Sequence, residues 1–76
     1  MLNKKALGLA IKKQRKEKNM KQIDVSAKTD LSRNYISDIE NGRYAPSVDA
    51  LLKLAECIDL DLNLIKMTEI QVNELL

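Results

Sequence analysis

Four side chains between Arg33 and Asp38 are of types that can do chemistry together. If Ser32 caps a helix with its hydroxyl, Arg33, Asn34, Ser37 and Asp38 share one arc of roughly 140°. Ile36 and Ile39 fall on the opposite side, where a core belongs. The arc then carries a guanidinium, an amide, a hydroxyl and a carboxylate. Arginine can give two hydrogen bonds to guanine, asparagine can pair with adenine, and a carboxylate can accept from cytosine. The lesser alternatives are that Arg33 meets a phosphate or solvent and that Asp38 buttresses Arg33.

Catalysis is harder to assemble from this chain. There is no histidine, and the single cysteine cannot form a paired metal site. No glycine-rich phosphate loop and no nucleophile–base constellation is present. No catalytic residue, metal or cofactor is expected.

The elements that must position the arc are helical. Gln22 to Gly42 reads as two short helices joined by a tight turn, with Asn41-Gly42 ending the second because glycine accepts a left-handed cap. Before them, Asn3 can cap a helix reaching about Lys18, whose Leu7, Ala10 and Ile11 repeat at helical spacing. Gly8 inside it suggests close approach of another element. Asn19 is a plausible cap at its end, with Met20 turned back onto the core. In the second helix Ile23, Ser26 and Ala27 are the inward candidates. After the loop Arg43-Tyr44-Ala45-Pro46, Ser47 can cap a fourth helix with an apolar stripe of Val48, Leu51, Leu52, Ala55 and Ile58.

Seventy-six residues make one small domain. The expected class is all-α, a compact bundle of four to five helices. No apolar run approaches the roughly 18 residues of a membrane span. Charged residues follow Met1-Leu2 closely, unlike a signal peptide, and with Cys57 alone no intrachain disulfide can form. A reducing cytoplasm fits. The Cys57 thiol reads as a small core hydrophobe. Net charge is +2, but residues 1–28 carry +7 and residues 29–76 carry −5. A basic N-terminal half suits a polyanion partner, or simply a solvated helix face.

Taken in register, these residues resemble the Cro/C1-type helix-turn-helix family of phage repressors and small bacterial regulators. The likeness runs from about Leu7 to Leu62, through Ile11, Arg15, Gln22, Leu31-Ser32, Tyr35-Ile36-Ser37, Ile39-Glu40-Asn41-Gly42 and Pro46-Ser47. It implies a lambda-repressor-like domain over 1–66, with the helix-turn-helix unit at about 22–42 and a tail at 67–76. It implies a sequence-specific, homodimeric repressor acting on a near-palindromic operator in double-stranded DNA. The matching base-facing positions are Arg33, Asn34 and Asp38, with Ser37 on the same arc. Gln22, Ser32, Asn41 and Arg43 match phosphate-holding positions. Tyr35 can stand at the DNA backbone, at a thymine methyl, or over the edge of the core. Arg15 and Glu40 resemble a family ion pair that fixes the recognition helix.

The chain departs from the family at several points. Lys21 stands where a Ser or Thr cap is usual and cannot accept a hydrogen bond; a reach to phosphate would justify it. Ser26 replaces alanine, and Asp30 replaces the turn glycine. Leu60, Leu62 and Leu64 alternate with Asp59, Asp61 and Asn63, which reads as a half-buried strand, with the short fifth helix usual in the family as the open alternative over 60–66. That alternation resembles antitoxins of HipA-like kinase toxins, whose C-terminal strands pair across a dimer. It implies a dimer interface at Leu60, Leu62 and Leu64, over residues 60–66, and a possible toxin partner. A protein-interaction module without DNA binding is the other class the pattern admits.

Overall fold

Four capped helices account for most of residues 3–64, the part of the chain described by this computed structural model. α1 spans Lys4–Glu17, α2 Gln22–Thr29, α3 Arg33–Glu40 and α4 Val48–Ile58. Three start on an oxygen cap: Asn3 accepts from Ala6 N–H at 3.0 Å, Ser32 from Tyr35 N–H at 3.0 Å and Ser47 from Ala50 N–H at 3.1 Å. Each satisfies a donor that the helix itself cannot. α2 lacks such a cap because Lys21 offers no acceptor. Its start is held from inside the helix, by the Asp24 carboxylate accepting from the Lys21 backbone N–H at 2.8 Å.

The helices end where residues tolerate left-handed backbone. Asn19, Asp30, Gly42 and Asp59 have φ of 56°, 64°, 75° and 58°. At Gly42 the chain closes a full Schellman turn, with Gly42 N–H to Ile39 O at 3.0 Å and Arg43 N–H to Asp38 O at 2.9 Å. Asp30 thus does the work of the family's glycine, as its short polar side chain permits.

α1 packs on α3 and α4, and α2 packs on the same pair. Leu7, Ile11, Val25, Ile36, Ile39, Leu54 and Ile58 form the core between them, with Met20, Leu31 and Tyr35 packed against its rim. Gly8 is where α1 meets the end of α3. A Cβ there would collide with the backbone carbonyls of Ile39 and Glu40, so the close approach expected of this glycine is real.

Two faces differ from expectation. In α2 the buried residues are Val25 and Thr29, one turn apart, while Ile23 and Ala27 are exposed and Ser26 is half-buried. The reason is polar. Thr29 Oγ1 donates to Val25 O at 2.7 Å and accepts from Leu31 N–H at 3.2 Å, so a hydroxyl is buried fully satisfied. Ser26 Oγ donates to Leu31 O at 2.6 Å and ties the turn from its other side. In α4 the buried line is Ala50, Leu54, Ala55 and Ile58, and Val48 and Leu52 lie outside at 76% and 55% exposure. Gln14 fixes this rotation by donating to the carbonyls of Ile58 and Asp59 at 3.1 and 3.3 Å.

The strand expected from the alternating leucines does not form among the described residues. Left-handed Asp59 sends Leu60 N–H back to Ala55 O at 2.9 Å. Asp61 Oδ1 then accepts from Asn63 N–H at 2.9 Å, and Leu62–Leu64 make a single 3₁₀ turn. The aspartates close turns, which short polar side chains favour over extension. Leu60 and Leu62 pack partly against the subunit's own core. The likeness to HipA-partner antitoxins rested on that strand and loses its footing here. Residues 65–66 and the tail 67–76 lie outside the described residues, as does the side chain of Leu64.

Candidate nucleic-acid interface

The outward arc of α3 is a consequence of its inward one. Ile36 and Ile39 are buried in the core and Glu40 beneath it. Helical geometry then turns Arg33 and Asn34 fully outward, with Ser37 and Asp38 half-exposed beside them. Among the described residues Arg33 makes no ion pair, so its five donors are free at the first turn.

Glu40 anchors the helix from below. Its carboxylate accepts from Arg15 Nε at 2.6 Å and Nη2 at 2.9 Å, a bidentate pair, and from Gln22 Nε2 at 3.1 Å. Arg15 Nη1 reaches on to Met20 O at 2.8 Å. Three helices therefore converge on one carboxylate, and Arg15 ties the α1–α2 turn to them. The hydrogen bond with Glu40 raises the Arg15 pKa above its ordinary value, against the opposing effect of burial. The pair expected between Arg15 and Glu40 is present, with a third member in Gln22. The start of α2 and the end of α3 are thus tied, which fixes the angle between the two helices.

The phosphate-holding candidates surround the arc. Lys21, Ser32, Asn41 and Arg43 are exposed. The Ser32 oxygen already accepts from Tyr35 N–H, leaving its O–H free to donate outward. Gln22 spends one amide hydrogen on Glu40 and keeps the other. Asn41 Nδ2 lies 3.4 Å from Ser37 Oγ. Arg43 Nη1 pairs with Asp38 Oδ1 at 2.8 Å. Asp38 therefore buttresses Arg43 and not Arg33. The cap turn through Gly42 brings residue 43 back over residue 38. Tyr35 is half-buried at the core edge, and its hydroxyl accepts from Ser47 N–H at 3.2 Å. Its ring closes the core rim while its oxygen positions the start of α4.

Between the first turns of α2 and α3 lies an open cleft of about 350 Å³, lined by Arg15, Lys21, Gln22, Ile23 and Arg33. Glu40 neutralises Arg15, which leaves Lys21 and Arg33 as the cleft's cations without an ion pair among the described residues. A second hollow, between α2 and α4, is lined by Lys28, Thr29, Asp30, Lys53, Glu56 and Cys57. Burial pushes the Cys57 thiol up, and nearby Lys28 offsets part of that rise.

Sequence reasoning missed the Gln22–Glu40 bond, the Ser26 and Thr29 locks of the turn, and the Asp38–Arg43 pair. The last had a signal: acid and base five residues apart across an Asn-Gly cap.

Two short helices in a tight turn, the second held rigidly with polar side chains outward, define a DNA-reading unit. Residues 11–65 match the helix-turn-helix family, and the chain belongs to it as a DNA-binding transcriptional regulator. It is similar to the ImmF control region 10 kDa protein of Bacillus phage phi105, at 55% identity over 74 residues, 97% of this chain and 82% of that protein. It is also 35% identical over 68 residues to the immunity repressor protein of the same phage, covering 90% of this chain but 47% of that longer one. Among solved structures, the restriction-modification controller protein C.AhdI from Aeromonas hydrophila superposes with a TM-score of 0.70 at 26% identity. The superposition covers 75% of this chain and 86% of the controller.

Proposed function

We propose that the protein is a repressor that binds a near-palindromic operator as a homodimer and blocks a promoter by occupying it. The observation that carries this reading is the Arg33–Asn34 face, presented outward on a helix clamped through Glu40 to α1 and α2. In the complex Arg33, Asn34, Ser37 and Asp38 face base edges in the major groove. Lys21, Gln22, Ser32, Tyr35, Asn41 and Arg43 lie along the phosphates and set register. The relatives' names, a phage control-region protein and an immunity repressor, support regulation of this kind.

Dimerisation belongs to the proposal because one recognition helix covers only half a site. Dimers of this motif place two such helices about 34 Å apart, one turn of DNA. Val48 and Leu52, exposed one turn apart on α4, are apolar surface that a second subunit can cover. Leu60 and Leu62 would add only the edges that their own core leaves free. Nuclease footprinting on the DNA upstream of the protein's own gene tests the reading. Two protected half-sites one helical turn apart are expected. A uniform, sequence-indifferent pattern would contradict it.

A further inference from the structure

Ile23 is a large apolar side chain left outside, 60% exposed, although isoleucine is among the residue types most often buried. Its position follows from α2's geometry. The buried Val25 lies two residues on, about 200° around the helix, so Ile23 points away from the core. It points into the cleft between α2 and α3, beside Lys21, Gln22 and Arg33.

That lining combines two exposed cations with one branched apolar group. A phosphate alone would use the cations and leave Ile23 in water. A DNA strand offers both chemistries side by side: phosphates for the cations and, in the major groove, the thymine C5-methyl for an apolar contact. Arg33 opens the face of α3 that meets base edges, and Ile23 shares its cleft. Deoxyribose carbons are the other apolar groups of a strand, but they carry no base identity.

We infer that Ile23 reads a thymine methyl beside the bases met by Arg33, which makes it a specificity residue contributed by α2. This rests on the DNA-binding reading above. The test starts by selecting a binding site from random duplexes with the wild-type protein. Each thymine of that site is then replaced in turn by deoxyuridine, which removes only the methyl.

For the wild type, one position per half-site should weaken binding by about fourfold, the worth of one buried methyl-sized group. In Ile23→Ala that penalty should vanish, while helix content and Tm stay unchanged because the residue is exposed. Ile23→Val, one methylene shorter, should keep part of the penalty. Three results overturn the inference while leaving DNA binding intact. These are a selected site without thymine, a deoxyuridine penalty equal in wild type and Ile23→Ala, or an Ile23→Ala loss equal on every sequence, which is a sugar contact. Failure of the wild type to enrich any sequence overturns the underlying reading instead.

Discussion

Replacing Arg15 by methionine removes the cation from a carboxylate whose side chain is 1% exposed. Glu40 would keep only the Gln22 amide, at 3.1 Å, and Met20 O would lose its donor. Breaking a buried pair from one side costs about 3–5 kcal/mol. A domain of this size holds roughly 4–11 kcal/mol in total. Arg15→Met should therefore remove about half the stability and lower Tm by more than about 10 °C, at several degrees per kcal/mol. Adding Glu40→Leu removes the stranded charge, and the double variant should regain most of the loss. About 1 kcal/mol stays missing for the unpaired Met20 carbonyl. Denaturant unfolding of wild type, both single variants and the double variant closes the cycle. Simple additivity of the two losses would mean that Arg15 and Glu40 do not pair, because residues in contact must couple.

Lys21→Ser gives α2 the cap it lacks, so stability should rise by roughly 0.5–1 kcal/mol in a thermal melt. The same change should weaken DNA binding and make its log-log salt slope shallower by about one unit. Asp38→Asn releases Arg43 from its carboxylate, so affinity for unrelated DNA should rise while preference at one base pair falls; competition titrations read both. Gly8→Ala forces a methyl against the carbonyls of Ile39 and Glu40 and should cost at least about 1–3 kcal/mol, measured by urea unfolding. Because burial raises the Cys57 pKa, a smaller thiolate fraction exists at pH 8 than for a free thiol. Labelling by a thiol reagent should be correspondingly slower in the folded protein than in urea.

Much of the fold was legible because capping and cap-breaking are local. Asn3, Ser32 and Ser47 opened helices as their oxygens dictate, and Asn19, Asp30 and Gly42 turned left-handed. The recognition arc was legible too, since Ile36 and Ile39 leave only one outward direction. What failed depended on tertiary context. α2 is eight residues long, too short for periodicity to choose between a face centred on Ile23 and Ala27 and one centred on Val25 and Thr29. The choice fell to Thr29, which could be buried because both its hydrogen bonds are local. The alternation of Leu60 to Leu64 mimicked a strand, but aspartates at alternate positions favour turns once the preceding helix ends left-handed. Side-chain pairings across helices, such as Gln22 with Glu40, have no one-dimensional signature.

Arg33, at the first turn of the clamped helix, is proposed to read a base. Binding constants of wild type and Arg33→Ala on a selected operator and its single base-pair variants test it most directly. A loss of about 1–3 kcal/mol per half-site on the operator is expected, with preference erased at one base pair, retained at the others, and Tm unmoved. An equal loss of affinity on every duplex would contradict it and make Arg33 a phosphate contact.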